Sequence, residues 1–158
     1  MGWAGALAMY PDFSMSYDIG QRGPSWEVVI ERGKIQEFAK ATYSKSRAFR
    51  GEHPITPSTF LITASNWAPR GAKIELGFDR ARVLHGEQEF TFFGPPPCAG
   101  DVLYASEYVA ERYEKESRGG GTMRFAVVVT EFRGSDESVV AQARCTVIER
   151  APLKGAST

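Results

Sequence analysis

Residues 56–69 read TPSTFLITASNWAP, and their reading decides the fold. The stretch carries no charged side chain, in a protein whose residues are 24% charged. Pro57 suits a first helical turn, where its missing N–H would have had no partner, and Thr56 or Ser58 can cap that turn. Phe60, Leu61, Ala64 and Trp67 fall at helical spacing, with Ile62 and Ala68 filling much of the remaining surface. Pro69 and Gly71 stop the run. A short helix that is apolar on most sides must be wrapped by other elements. The only candidate wrapping is the C-terminal half, which reads as several long strands. The expected architecture is therefore α+β, with an antiparallel sheet wrapped around a central apolar helix.

N-terminal to this stretch, PSWEVVI at 24–30 is a short strand with Trp26, Val28 and Ile30 on one face. Residues 31–43 read as a helix, from Ile35, Phe38, Ala39 and Thr42 at i, i+3, i+4 and i+7. Residues 44–54 are polar and irregular. On the C-terminal side, 70–80 is a connection, and four strands follow at 82–93, 102–115, 123–132 and 138–150. Gly86 marks a bend or bulge in the first of these. Gly94 to Gly100 turns into the second, and residues 118–121 form a hairpin loop. In the last strand Val139, Ala141, Ala143, Cys145 and Val147 share a face.

Composition narrows the function. At 158 residues and 42% hydrophobic content the chain is one domain with a sizeable core. Basic and acidic residues balance at 19 each, which removes the electrostatic case for nucleic acid. Cys98 and Cys145 form no CxxC pair, and the two histidines lie far apart, so neither a disulfide framework nor a metal site is expected. Trp3–Tyr10 is apolar but too short to span a bilayer and lacks a basic flank, so a cytoplasmic protein without membrane attachment is expected. The glycine triplet at 119–121 is not followed by a phosphate-binding helix, and a hairpin tip explains it. His85, beside Gly86, reads either as a histidine satisfied by a backbone carbonyl or as a polar group at a cleft.

Two segments together resemble a known family. HGEQEFTFFGPPPCAGDVLY, from His85 to Tyr104, resembles the strand, proline turn and Gly-Asp that lead into the next strand of MaoC-like dehydratases. FAKATYSKSRAF, from Phe38 to Phe49, is similar to their first helix and its sequel. The likeness extends over 17–150, leaving tails at 1–16 and 151–158. It is nearest the N-terminal-type, FAS1-like domains, which include non-catalytic subunits of heteromeric (3R)-hydroxyacyl dehydratases, and it implies the hot-dog fold.

In catalytic members of that family the helix runs into Gly-Asp-x-Asn-Pro-x-His, whose aspartate and histidine activate water for addition to an enoyl thioester. Laid on this chain, the glycine falls at Tyr43, the aspartate at Ser44, the asparagine at Ser46, the proline at Arg47 and the histidine at Phe49. A serine cannot hold a carboxylate's charge, and a phenylalanine cannot exchange a proton. The resemblance therefore implies a subunit inactive alone, shaping an acyl cleft beside another MaoC-like hot-dog chain.

The expected ligand is an acyl-CoA or acyl-ACP thioester, without cofactor. Its expected binding residues are Thr56, Pro57 and Ser58, His85 and Gly86, and Pro95, Gly100 and Asp101 of the turn; Arg47 and Arg50 flank them. The glycines permit close approach of a ligand, and the prolines stiffen the loop. The competing readings are a non-catalytic acyl-thioester-binding homo-oligomer and a hot-dog thioesterase. The thioesterase would need Glu87 or Glu89, since 57–68 holds no carboxylate.

Overall fold

A computed structural model describes residues 17–152, so the apolar run Trp3–Tyr10 and nearly all of both expected tails lie outside the described residues. The elements are β1 (Trp26–Val29), α1 (Arg32–Ala41), β2 (Val83–Phe92), β3 (Val102–Glu116), β4 (Thr122–Arg133) and β5 (Val139–Glu149), with short 3-10 helices at Arg47–Phe49, Phe60–Asn66 and Arg80–Arg82. The five strands form one antiparallel sheet in the order β1-β3-β4-β5-β2. Alternation along each strand sends one set of side chains to a concave inner face. Ala105, Phe132 and Ala141 make one inner row, and Glu107, Thr130 and Ala143 make the next. Ile35 of α1 and Phe60, Leu61 and Ala64 of the 60–66 segment pack onto this face with Trp26, Val28 and Ile30. This is the hot-dog arrangement.

The central segment differs locally from the expected α-helix. Residues 60–66 wind as a 3-10 helix, with Phe60 N donating to Pro57 O and Ile62 N to Thr59 O. The Thr63 hydroxyl donates to Phe60 O at 2.8 Å and the Ser65 hydroxyl to Ile62 O at 3.0 Å. Hydroxyls that take carbonyls three residues back compete with the α ladder and favour tighter turns. The tighter pitch also redirects side chains, so Ile62 and Trp67 are exposed, Trp67 at 61%.

Between this segment and β2, residues 72–79 cross the inner face without strand or helix. Their backbone is held by charged side chains projecting from the sheet. Glu107 Oε2 accepts from Ile74 N at 2.9 Å, Arg112 donates to Leu76 O at 3.2 Å, and Glu149 Oε1 accepts from Asp79 N at 2.8 Å. Irregular backbone laid against a sheet needs such partners where it packs, because it has no ladder of its own.

Candidate functional site

Three recesses contain several of the residues singled out in the sequence, though none is lined by Thr56, Pro57, Ser58 or Gly86. The first lies at the C-terminal end of α1. The Thr42 hydroxyl donates to the Phe38 and Ala39 carbonyls at 3.0 and 3.2 Å, and Ser44 N donates to Ala39 O at 2.8 Å. Tyr43, between them, takes the left-handed conformation (φ 55°) in which glycine usually closes a helix. This turn aims Ser44 into a recess of about 460 Å³, and the 3-10 turn at Arg47–Phe49, capped by Ser46, brings Phe49 into it as well. Ser44 and Phe49 thus line one recess. Gln36, Ala39, Lys40 and Arg50 complete the wall, and among the lining residues there is neither a carboxylate nor an imidazole.

The second recess surrounds the proline turn. Thr56 N donates to Pro97 O at 2.8 Å, Ala99 N to Pro54 O at 2.9 Å, and Ile55 bridges Cys98. The turn is fixed to the end of β1 by Gly100 N to Ile30 O and Ile30 N to Asp101 O. Asp101 closes it internally, Oδ2 accepting from Cys98 N at 2.8 Å. Gly100 occupies φ +99°, a conformation that a side chain would oppose. Thr56 and Pro57 are buried and Ser58 is exposed. The Thr56 hydroxyl is buried without a hydrogen-bond partner, an omission that costs about 1–3 kcal/mol. Pro95, Gly100 and Asp101 line an open depression of about 610 Å³ on the other side of the turn. Burial pushes the Cys98 thiol up, and the Asp101 charge adds to that, so it is a weaker nucleophile than a free cysteine.

His85 stands apart from that turn. It lies seven residues before Phe92 along β2, about 23 Å at roughly 3.3 Å per residue, and it borders a third recess, a partly open cavity of about 270 Å³. Gly86 is the extra residue of a bulge between His85 and Glu87. A Cβ built there meets Ile148 Cδ1 at 2.7 Å and Thr146 O at 3.1 Å, so the close approach that glycine permits here is to β5. Both His85 ring nitrogens lie 3.9 Å from Cys145 Sγ. Gln88 also faces the cavity, whereas Glu87 and Glu89 alternate to the other face of β2 and are exposed. The walls come from Leu61 and Ala64 of the 3-10 segment, Ile74 and Leu76 of the crossing strand-less segment, and the inner faces of β3, β4 and β5.

Glu107 is the residue that sequence reasoning passed over. It lies in the inward register of Leu103, Ala105 and Val109, and that lone carboxylate within an apolar alternation was the available signal. Burial pushes its carboxyl up; Ile74 N, Lys73 and the Thr130 hydroxyl only partly offset this. Two further buried glutamates are held down instead. Glu149 is held chiefly by Arg124, with Asp79 N and Arg82 assisting. At Glu131 burial pushes up, but Arg133, Gln142 and Arg22 outweigh it. Cys145 is pushed up by burial and by the Glu107 charge. Among the described residues no group of His, Cys, Asp and Glu is placed to hold a metal ion, and no helix is long and apolar enough to cross a membrane.

Comparison with known proteins places this geometry. Residues 17–143 match the family described as "FAS1-like, dehydratase domain region". A UPF0336 protein of Saccharopolyspora erythraea is 32% identical over 139 residues, covering 80% of this chain and 83% of that one. A UPF0336 protein of Parafrankia sp. is 28% identical over 132 residues, covering 77% and 83%. Among solved structures, the C-terminally truncated HadBC (3R-hydroxyacyl-ACP dehydratase) complex of Mycobacterium tuberculosis superposes with a TM-score of 0.62 at 23% identity, over 85% of this chain and 99% of that one. The (R)-hydratase of A. caviae involved in PHA biosynthesis gives 0.56 at 15% identity, over 88% and 100%. At these identities the structural likeness speaks to the fold.

Proposed function

The chain belongs to the family of FAS1-like dehydratase domains, and from that premise we propose that it is the non-catalytic half of an enoyl-thioester hydratase, a (3R)-hydroxyacyl-CoA or -ACP dehydratase. In this reading it shapes the acyl-binding cleft while another hot-dog chain supplies the acid–base pair. The observation that carries the proposal is the recess at the end of α1. Ser44 and Phe49, on which the family's aspartate and histidine fall by the resemblance, both line it, and the wall offers no carboxylate or imidazole. Water addition to an enoyl thioester needs one group to take the proton from water and one to deliver a proton to the α-carbon. Each such group typically contributes about 10²- to 10⁴-fold.

The partner's seat is the β2 edge. β2 is a ten-residue strand paired only with β5 in the sheet order, and long open edges are paired or covered in stable proteins. The similarity to HadBC, a complex by its description, supports pairing with a second hot-dog chain. We assign the thioester to the segment Thr56, Pro57 and Ser58 with the turn residues Pro95, Gly100 and Asp101, two stretches that the Thr56 N to Pro97 O hydrogen bond holds together. We assign the acyl tail to the cavity behind residues 60–66, bordered by His85, next to Gly86, at the edge strand. Glu87 and Glu89 point away from that cavity, so neither of the two carboxylates that the thioesterase reading called for reaches it.

The test is crotonyl-CoA hydration by the purified chain, alone and after co-purification with a hot-dog chain that retains the intact Asp and His spacing. The expected result is no appreciable turnover alone, turnover with the partner, and a light-scattering mass above the 17.4 kDa of one chain. Turnover by the pure chain that disappears in His85→Ala overturns the proposal and makes His85 catalytic. Acyl-CoA binding by a homo-oligomer that gains nothing from any partner favours the non-catalytic binding protein instead.

A further inference from the structure

We propose that Glu107 is a specificity-determining residue that makes the cavity behind residues 60–66 select acyl tails bearing a hydroxyl near their far end over plain alkyl tails. The inference rests on the acyl-tail assignment above and adds to it the chemistry of the tail. Three glutamates are buried in this sheet, and two of them are satisfied by the protein itself. Glu131 meets Arg22, Arg133 and Gln142, and Glu149 meets Arg82, Arg124 and Asp79 N. Glu107 has no such clamp. Its carboxyl accepts from Ile74 N at 2.9 Å and from the Thr130 hydroxyl across on β4, and Lys73 acts on it only as a neighbouring charge, so no arginine or amide occupies its remaining acceptor sites.

Its position makes this more than a packing detail. The inward residues beside it on β3 are Leu103, Ala105 and Val109, all buried and apolar. An apolar residue at 107 would complete that row, whereas a carboxyl with spare acceptor capacity is disfavoured in such surroundings. Glu107 instead lines the cavity. In the strand order it is three strands from β2, about 14 Å at roughly 4.8 Å per strand. Glu107 is buried and lines the same cavity as Leu61 and Ala64, so a tail running from Thr56–Ser58 behind the 60–66 segment meets it.

A hydroxyl is the group that suits Glu107 in either protonation state. The ionised carboxylate accepts from it, and the neutral carboxyl can accept from it or donate to it. A site that hydrogen-bonds a substrate hydroxyl discriminates against the analogue lacking it, because its own polar group is then left unpaired. One hydrogen bond to a charged group corresponds to about 10- to 100-fold in affinity.

The experiment measures affinities of the full-length chain for decanoyl-pantetheine and for its 9-hydroxy and 10-hydroxy counterparts, by calorimetry. Wild type, Glu107→Gln and Glu107→Leu are compared through the ratio of hydroxylated to plain affinity, which cancels any general weakening of the fold. The expected ratio is at least about tenfold in favour of one hydroxylated tail in wild type. Glu107→Gln, which keeps an acceptor for Ile74 N and for the ligand, retains a preference, and Glu107→Leu loses or inverts it. Plain and hydroxylated tails bound equally by wild type overturn the role of Glu107 while leaving the acyl-tail cavity standing. A ratio unchanged in a folded Glu107→Leu does the same. Failure of all three thioesters to bind wild type overturns the cavity assignment itself.

Discussion

Replacing Gly86 by alanine is the sharpest test of the bulge in β2. The backbone at Gly86 does not require a positive φ, so the penalty comes from space alone. The new Cβ would sit 2.7 Å from Ile148 Cδ1, 3.0 Å from Ile148 Cγ1 and 3.1 Å from the Thr146 carbonyl oxygen. The isoleucine terminus can swing away, but the carbonyl belongs to the β5 backbone and cannot. Overpacking of this kind costs about 1–3 kcal/mol, which for a domain of this size lowers Tm by roughly 2–4 °C per kcal/mol. The expected shift for Gly86→Ala is therefore a fall of roughly 2–12 °C. Ile148→Val removes the nearest atom and should recover part of that loss in the double variant, with a coupling of about 0.5–2 kcal/mol. Thermal and urea unfolding of the four proteins in the cycle measure it. A Gly86→Ala protein with unchanged Tm, or a cycle with no coupling, refutes the contact and with it the reason for glycine at this bulge.

Three further substitutions probe the charged and strained positions. Glu149→Leu removes the shared partner of Arg82, Arg124 and Asp79 N; both arginines reach water, so the loss should be about 2 kcal/mol in urea unfolding, below the 3–5 kcal/mol seen when fully buried pairs are broken. Glu107 keeps its proton more tightly folded than unfolded, because burial raises its carboxyl above the ordinary 4.5. Its favourable contribution is thus complete below pH about 4.5 and is lost as pH rises through the folded-state value, and Glu107→Gln should flatten that decline in a pH series of urea midpoints. Tyr43→Gly should raise stability by about 0.5–1 kcal/mol, since Tyr43 is 91% exposed and holds φ 55°; a lower Tm would show that its ring makes a contact the exposure does not suggest.

Much of the sheet could be read from alternation and punctuation. Trp26, Val28 and Ile30 share the inward face that their period of two predicts, the bulge falls at Gly86, and β3 and β4 are joined across the 118–121 turn. The 60–66 segment was legible as the packed centre but not as a 3-10 helix, because that depends on where the Thr63 and Ser65 hydroxyls send their protons. That Ser44 and Phe49 line one recess depends on the left-handed turn at Tyr43 and the 3-10 turn at Arg47–Phe49, which the motif alignment did not address. The separation of His85 from the proline turn was legible, since an extended strand over 82–93 already holds them apart, and grouping them in one cleft overlooked it. Glu107 was missed for a tertiary reason: on a linear strand, a carboxylate that faces a cavity cannot be told from one that will find an arginine across the sheet.

The segment 72–79 is gripped through its peptide groups by Glu107, Arg112 and Glu149, which belong to other parts of the chain. Grip of that kind is indifferent to which side chains the segment carries. Lys73, Ile74 and Leu76, which form one wall of the cavity, are therefore free to diverge without releasing the wall from its place. The consequence is a division of labour between memory and invention: the strands fix where the segment runs, and its own residues remain available for selection to re-cut the cavity for a different tail. Proteins built this way should differ from one another most at 73, 74 and 76 and least at 107, 112 and 149.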